Sequence, residues 1–208
     1  MIASAAVLFG ARGIEATSFP EILAASGAPR GSIYYHFPKG KRQLVEDALR
    51  WTTEQLLRFQ LEGPVHRAEE VLDRFVMFFR RSVVVSHCRA GCPVAAVAAS
   101  HYGGEAALAA LVRATFRSWT TVLTRQLRKV GVPPARARAL ATTTLASVEG
   151  ALILCRAEGS VAPLDAVRRE IRALVRTWAP RNPRGKGSRA VARARPDDGI
   201  GARRAAGS

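Results

Sequence analysis

The segment from Thr17 to Leu44 constrains the fold most, because it contains the signals for two short helices separated by a glycine turn. Ser18 and Glu21 have the Ser-x-x-Glu spacing of a capping box, in which each side chain satisfies a free backbone N–H group of the other residue. This pattern predicts a helix that begins near Phe19. The helix is expected to end near Ala25, because a turn follows.

A second short helix is predicted directly after the turn at residues 26–28. Pro29 is suited to the first turn of a helix, since its fixed φ is already helical and its missing N–H would have no partner there. The helix is expected to span Arg30 to Phe37, with Ile33 four residues before Phe37 on one apolar face. Two short helices joined by a turn that contains glycine are typical of the helix-turn-helix unit.

The polar face of this second helix is chemically suited to DNA. It carries no carboxylate that would repel phosphate, and its groups can donate hydrogen bonds to base edges and phosphate oxygens. In helix-turn-helix proteins the N-terminal residues of the second helix enter the major groove. The spacing alone leaves one alternative open, a helical hairpin that only packs against the rest of the chain. The polar side chains of this face are Arg30, Ser32, Tyr34, Tyr35 and His36.

Basic residues at the start of the next helix support the DNA interpretation. Lys39, Lys41 and Arg42 surround a helix N-terminus, whose free N–H groups already favour an anion. A phosphate of the DNA backbone is the anion expected there. The alternative for Lys41 is an ordinary solvated lysine.

The run AAVLFGARGIEATSFPEILAASGAPRGSIYYHFPKGKRQLVEDAL resembles the DNA-binding domain of the TetR family of regulators, over about residues 1 to 50. The later segment GCPVAAVAAS is similar to the branch of that family that contains LmrA and YxaF. The resemblance implies an all-α fold with an N-terminal three-helix helix-turn-helix domain and a C-terminal helical domain that binds an effector and dimerises. The DNA-binding residues it implies are Ser18, Arg30, Gly31, Ser32, Tyr34, Tyr35, His36 and Lys41.

Composition agrees with a folded protein that has a polyanionic partner. The chain has 208 residues, 48% of them hydrophobic, and a formal net charge of +16. Such a charge favours nucleic acid or an anionic membrane surface as the partner, and charge alone does not decide between them. Residues 179–208 contain eight Lys and Arg residues, two Asp residues and few apolar residues, so they are predicted to form a disordered basic tail.

Other functional classes have little support in the sequence. The longest apolar runs are shorter than the roughly 18 residues of a membrane span, so no membrane partner is expected. Three cysteines without a dense framework suit a reducing compartment, and a cytoplasmic location is expected. The Cys88-x-x-x-Cys92 spacing is not that of a structural zinc site, and no metal or cofactor is expected. No Ser-His-acid or Cys-His-acid arrangement lies on a recognisable turn, so an enzyme is not expected.

The periodicity of apolar residues predicts helices through the rest of the chain to residue 178. The expected domains are a helix-turn-helix domain at 1–45, a helical effector-binding and dimerisation domain at 46–178, and the basic tail at 179–208. The predicted helices are 41–61, 67–86, a short one after Pro93, 108–130, 135–156 and 164–178.

An effector pocket is expected between the C-terminal helices, because the family resemblance implies one there. Helical faces suggest a mainly apolar lining with Glu149 or His101 as a polar anchor. The alternative for most of these side chains is ordinary core packing. The proposed lining is Leu56, Phe59, Phe75, Phe79, Val97, His101, Phe116, Trp119, Glu149 and Leu152.

A homodimer is expected through the last two helices. Two apolar-faced helices form a four-helix interface when a two-fold axis doubles them, and Gly150 would permit a close approach. The alternative is that both faces pack inside the chain. The proposed interface residues are Leu145, Gly150, Leu164, Ile171, Leu174 and Trp178.

The sequence therefore predicts a ligand-responsive transcriptional repressor. Its expected partners are a double-stranded DNA operator, a small-molecule effector and a second copy of the chain. Binding of a small apolar or aromatic effector is expected to release a near-palindromic operator. The alternative from another class is a charge-driven protein that binds nucleic acid without sequence preference.

Overall fold

The computed structural model describes residues 1–100 and 105–176, and all regular secondary structure in these ranges is helical. The predicted all-α fold is confirmed. His101, Trp178 and the predicted basic tail lie outside the described residues. The helices are α1 (Ile2–Arg12), α2 (Phe19–Ser26), α3 (Ser32–His36), α4 (Gly40–Leu61), α5 (Ala68–Val85), α6 (Pro93–Ala98), α7 (Ala106–Lys129), α8 (Pro134–Glu158) and α9 (Ala162–Arg176).

The capping box predicted for α2 is present. The Ser18 hydroxyl accepts a hydrogen bond from the Glu21 N–H at 3.4 Å, and the Glu21 carboxylate accepts one from the Ser18 N–H at 2.7 Å. Gly27 ends the helix in the left-handed conformation, with φ at +68°, which a residue with a Cβ adopts at a cost. Local sequence signals therefore define both ends of α2.

Helix α3 is shorter than predicted. It contains five residues, Ser32 to His36, because Pro29 and Arg30 belong to the preceding turn. The Ser32 N–H and the Ser32 hydroxyl both donate to the Pro29 carbonyl oxygen, at 3.0 and 2.6 Å. These bonds stabilise the turn and delay the start of the helix, so Arg30 lies just before α3 and not within it.

One apolar core holds the N-terminal helices together. Phe9 of α1, Ile22 of α2, Ile33 of α3 and Leu44 of α4 are all almost completely buried. Burial of such side chains stabilises a fold by roughly 1.5–3 kcal/mol each relative to exposure. Helix α4 continues without interruption through the predicted domain boundary at residue 45, so a single helix belongs to both predicted domains.

Two arginine–aspartate pairs join α5 to α9 in opposite directions. Arg80 of α5 donates to both carboxylate oxygens of Asp165, at 2.7 and 3.0 Å. Arg168 of α9 donates to both carboxylate oxygens of Asp73, at 2.6 Å each. Such bidentate pairs fix orientation as well as distance, so they set the register of α9 along α5.

Helix α8 has one face in the core and one face toward solvent. Its length and apolar composition alone would suffice to cross a bilayer, which corrects the argument that every apolar run is too short. The reason is that Glu149 is the only charged residue between Arg138 and Arg156. Part of the helix is nevertheless buried inside the chain, as expected of a core helix, including Leu140, Ala141, Thr144, Val148 and Leu152.

Candidate DNA-binding surface and effector-binding region

Helix α3 presents its tyrosines to solvent because two apolar side chains anchor it from below. Ile33 and Phe37 are almost completely buried, whereas the Tyr34 and Tyr35 side chains are 70% and 83% exposed. Adjacent aromatic side chains that are exposed together are typical of an interaction surface. The exposed edge of α3 is therefore available to bind a partner.

The predicted DNA-binding residues around α3 lie together. Arg30, Gly31 and His36 are exposed, and Ser32 is partly exposed although it bonds to the Pro29 carbonyl oxygen. These residues form one continuous surface from the turn to the end of α3.

Contacts with α2 limit the motion of this surface. The Tyr34 ring packs edge-on against Phe19 at 6.0 Å, so its hydroxyl is presented by a supported ring. Ser18, the other predicted contact on α2, is exposed and held by Glu21. Hydrogen bonds from Ser18 and the nearby Arg12 guanidinium lower the pKa of Glu21, which keeps this carboxylate charged and structural.

The N-terminus of α4 completes a basic surface next to α3. Its first turn contains no acidic residue and has no side-chain cap. Gln43, which the sequence analysis did not single out, accepts from the Lys39 N–H and donates to the His36 carbonyl oxygen, both at 3.2 Å. Gln43 thereby ties the end of α3 to the start of α4, and Lys41 lies in that start, partly exposed.

The aromatic residues predicted to line a pocket mostly fill the core instead. Phe75, Phe79 and Trp119 form a cluster in which the ring centroids of Phe75 and Phe79 lie 5.4 Å apart and those of Phe79 and Trp119 lie 6.1 Å apart. Phe116 packs on Trp119 at 5.6 Å. A helical face identifies inward residues, but it does not distinguish a filled core from a cavity wall. That is why the prediction was too broad.

The other predicted pocket residues also fall into two groups, those that fill the core and those that line a cavity or groove. Leu56 and Val97 are core residues that line none of the described cavities, whereas Phe59 lies in a surface groove beside Phe78 and Arg81. Phe79, Glu149 and Leu152 are the predicted residues that do line the two cavities between helices described below.

A first cavity of about 290 Å³ lies between α1, α4, α5 and the segment before α6. Its walls are mainly apolar, with hydroxyl and amide groups on α4 and α5. Of its lining residues, only Phe79 and Leu152 had been selected from sequence. Two of the others, Ala6 and Val7, belong to α1, a helix assigned to the DNA-binding domain. The lining is Ala6, Val7, Trp51, Thr52, Gln55, Phe78, Phe79, Ser82, Ala90, Gly91, Pro93 and Leu152.

A second cavity of about 230 Å³ lies between α1, α6 and α8 and shares Gly91 and Leu152 with the first. Its walls carry small side chains, one thiol, one carboxyl and one guanidinium group. Burial raises the pKa of the carboxyl, Glu149, to about 7, and a hydrogen bond with Cys92 opposes the rise. The lining is Gly10, Gly91, Cys92, Ala95, Ala96, Ala99, Glu149, Leu152, Ile153 and Arg156.

Three residues missed by the sequence analysis join α1 to the C-terminal helices at this second cavity. A Cβ on Gly10 would lie 2.3 Å from the Gly91 carbonyl oxygen, so the two backbones touch. Arg156 of α8 donates to the carbonyl oxygens of Gly10 and Ala11, at 3.4 and 2.5 Å. Two glycines in close contact leave no periodic pattern in the sequence. An arginine near a helix end is usually interpreted as a solvent-exposed side chain. Sequence patterns therefore did not identify these residues.

Some of the predicted dimer residues are buried within the chain, and others are exposed. Leu164 and Ile171 are 0% and 5% exposed within the chain's own core, which corrects their assignment to a subunit interface. Leu145 is partly buried and packs on the same core. Gly150 is exposed with nothing within 4 Å of an added Cβ, and Leu174 is partly exposed.

An exposed apolar stripe runs along α8 beside Gly150. Ile153 and Leu154 are 68% and 51% exposed, and Ala146 and Ala157 lie on the same side at helical spacing. Contiguous exposed apolar residues on a soluble helix are typical of an interaction surface. The solvent face of α8 and Leu174 of α9 are therefore the parts of the predicted interface that the described structure leaves accessible.

Models of two protein families match this chain in consecutive segments. Residues 1–48 match the model described as bacterial regulatory proteins, tetR family. Residues 68–170 match the model described as transcriptional regulator LmrA/YxaF-like, C-terminal domain. The first segment contains α2 and α3. The second contains α5, α6 and α8, which form walls of the two cavities.

Curated relatives cover nearly the whole chain. An uncharacterized HTH-type transcriptional regulator of Mycobacterium tuberculosis, Rv0196, is 35% identical over 192 residues, which is 88% of this chain and 96% of that protein. The HTH-type transcriptional regulator LmrA of Bacillus subtilis is 27% identical over 167 residues, 79% of this chain and 88% of that protein. These relatives are transcriptional regulators, a non-enzymatic class.

Solved structures share the fold. A TetR transcriptional regulator from Legionella pneumophila superposes with a TM-score of 0.74 at 24% identity, covering 84% of this chain and 94% of that one. Another TetR transcriptional regulator, from Chloroflexus aurantiacus, superposes with a TM-score of 0.65 at 27% identity, covering 84% of this chain and 91% of that one. Together with the exposed helix-turn-helix surface, these matches show that the chain belongs to the TetR family of DNA-binding transcriptional regulators and carries an LmrA/YxaF-like C-terminal domain.

Proposed function

We propose that this regulator is a homodimeric repressor that releases its operator when a small-molecule effector binds. One observation carries the DNA-binding half of the proposal: α3 holds Tyr34 and Tyr35 in solvent on buried Ile33 and Phe37 anchors, beside a basic helix start. Side chains this exposed contribute little to packing, which supports a role in binding a partner.

Each group on this surface has a proposed role. Arg30, exposed just before α3, contacts a base edge, because a guanidinium can bond to both acceptors of guanine. Tyr34, Tyr35 and His36 bind phosphate oxygens and fix the position of α3 in the groove. Lys41 binds a further phosphate at the start of α4, where the helix dipole also favours an anion.

Two copies of so short a helix are needed for specificity. A dimer with two-fold symmetry reads two half-sites about 34–36 Å apart, one turn of DNA, as a near-palindrome. The exposed stripe of α8 around Gly150 and Ile153 supports dimerisation through this helix. Regulators of this family are generally dimeric, and they are generally cytoplasmic.

Effector binding in the cavities between helices would change the DNA affinity through α1 and α4. The first cavity touches both helices, which also pack against α2 and α3 through the common core. An effector that binds the DNA-free conformation more tightly by a few kcal/mol shifts the population away from DNA. The apolar walls suit a small apolar or aromatic effector.

The test is selection of DNA from a random library by the purified full-length protein, followed by binding assays of the recovered sequence at several salt concentrations. A specific repressor should prefer one near-palindrome by about 10³-fold or more at physiological salt. Addition of the effector should then remove that preference. A protein driven only by its net charge of +16 would bind all sequences equally and lose affinity for all of them as salt rises.

A further inference from the structure

Glu149 is a largely buried carboxyl group without a partner of opposite charge among the described residues. It projects from α8 into the second cavity, and its Oε1 atom is inaccessible to solvent and makes no hydrogen bond. Among the described residues it takes part in no ion pair. A buried polar atom left unpaired costs a fold about 1–3 kcal/mol, so such an atom needs an explanation.

The surroundings of Glu149 do not supply that partner. Cys92, at the start of α6, interacts with the carboxyl, and a thiol is only a weak hydrogen-bond donor. Arg156 lines the same cavity, but its guanidinium donates to the Gly10 and Ala11 carbonyl oxygens of α1. The cavity therefore contains an acceptor whose donor is missing from the described part of the chain.

The space beside Glu149 fits a compact apolar group. Ala95, Ala96 and Ala99 form the α6 wall, and Leu152 and Ile153 form the α8 wall. The second cavity measures about 230 Å³ and adjoins the first cavity of about 290 Å³ at Gly91 and Leu152. Cavities of about 300–1,000 Å³ with mainly apolar walls and a few polar groups are typical of small-molecule sites.

We propose that Glu149 is the anchor for a cationic nitrogen group, an amine or amidine attached to a compact apolar body, and that such a compound is the effector. A cationic N–H donor would give the unpaired Oε1 the charge-assisted bond it lacks, while the apolar body contacts the alanines of α6. This inference rests on the proposed effector response and adds the chemical class of the effector to it.

The position of Glu149 also explains how such a ligand would act on DNA binding. The second cavity is closed on one side by the contact between Gly10 of α1 and Gly91, next to the Arg156 bonds to α1. A ligand held between Glu149 and α6 presses on the segment at Gly91. Because the backbones at Gly10 and Gly91 touch, that displacement reaches α1, which packs against the DNA-binding helices.

The experiment compares benzamidine with benzamide, its neutral counterpart of nearly the same shape, by calorimetric titration of the full-length protein. Benzamidine should bind the native protein about tenfold or more tightly than benzamide, since only the cation forms the charge-assisted bond. Glu149→Gln should lose this discrimination. Glu158→Gln, which alters an exposed carboxyl on the same helix, should keep it.

Three results would overturn the proposal: equal binding of the two probes, no binding of benzamidine, or full discrimination in Glu149→Gln. If Glu149→Gln fails to fold, as judged by circular dichroism, the comparison of the two probes on the native protein still decides. DNA preference measured on the same preparations separates this proposal from the repressor proposal. Retained operator preference with no benzamidine binding overturns only the inference about Glu149, whereas absence of any operator preference overturns the repressor.

Discussion

Gly10 and Gly91 lie so close together that a Cβ atom on either residue would be 2.3 Å from the carbonyl oxygen of the other. Gly10 belongs to α1, and Gly91 precedes α6, so their contact joins the DNA-binding helices to the region that holds both cavities. Real Cβ atoms essentially never approach backbone atoms this closely, so an added Cβ would force the two segments apart. The contact therefore requires glycine on both sides.

Replacing Gly10 with alanine should destabilise the protein and disturb the link between α1 and α6. The added methyl group meets backbone and not a flexible side chain, so the cost should be about 1–3 kcal/mol, as for overpacked cores. Urea unfolding of the purified variant measures it. Gly31→Ala is the matched control, because nothing lies within 4 Å of its added Cβ and its φ is −76°. Equal unfolding midpoints for both variants would contradict the close contact.

Arg30→Ala and Lys41→Ala should weaken DNA binding in different ways. Loss of Arg30 should cost about 1–3 kcal/mol and relax the preference at one base pair of each half-site. Loss of Lys41 should weaken binding to all sequences and lower the salt dependence by about one counterion per site. Both side chains are at least partly exposed, so the unfolding free energy should change little. Identical sequence profiles for Arg30→Ala and the native protein would show that Arg30 does not read a base.

The DNA-binding region was largely predictable, because its signals are local. The capping box of Ser18 and Glu21 and the spacing of Ile33 and Phe37 depend on residues a few positions apart, and the structure has both. The predicted start of α3 was wrong by two residues, because the bonds from Ser32 to the Pro29 carbonyl oxygen leave Arg30 in the preceding turn. A hydrogen bond of this kind depends on local geometry that residue spacing does not specify.

The effector region was less predictable, because cavities arise where distant segments fail to fill space. Phe75 and Trp119 have the same helical pattern as Phe79, yet only Phe79 lines a described cavity. Leu164 and Ile171 form an apolar stripe that suits either a partner or the core, and they are buried within the chain, where α5 and α8 both pack against α9. Periodicity identifies which face is apolar, but the element that covers the face depends on tertiary packing.

Glu149 should make stability depend on pH in a defined direction. Burial raises its pKa from 4.5 to about 7, so the folded state holds the proton more tightly than the unfolded state. The carboxyl therefore costs no extra stability below about pH 4.5, an increasing amount as pH rises, and its full cost above about pH 7. Glu149→Gln cannot ionise and should gain on the order of 3 kcal/mol relative to the native protein between pH 4.5 and pH 8.

Denaturant unfolding of both proteins across this pH range measures the difference. Glu158→Gln, with an exposed carboxyl on the same helix, is the control and should follow the native protein. A constant difference between Glu149→Gln and the native protein at all pH values would show that the Glu149 carboxyl titrates normally.

The paired contacts between α5 and α9 should contribute more than ordinary surface ion pairs. Arg168→Ala removes two hydrogen bonds of 2.6 Å to Asp73 in a half-buried site and should destabilise the protein by about 1–3 kcal/mol. Arg67→Ala removes an exposed pair with Glu70 and should cost less than about 1 kcal/mol. Thermal unfolding of both variants compares them, and an equal loss would mean that the α5–α9 pairs add no special stability.

The solvent face of α8 should control dimerisation. Ile153→Glu places a charge on a side chain that is 68% exposed within the chain, so each subunit should still fold. If α8 packs against α8 of a second copy, the unpaired charges would be desolvated at the interface and the dimer should dissociate. Val85→Glu, at an exposed position on α5, is the control and should remain dimeric. Light scattering after size exclusion measures both masses.

A monomeric Ile153→Glu should also lose most operator affinity, because each DNA-binding surface remains intact but two half-sites are no longer bound together. If Ile153→Glu stays dimeric with unchanged operator affinity, the subunits associate through another surface.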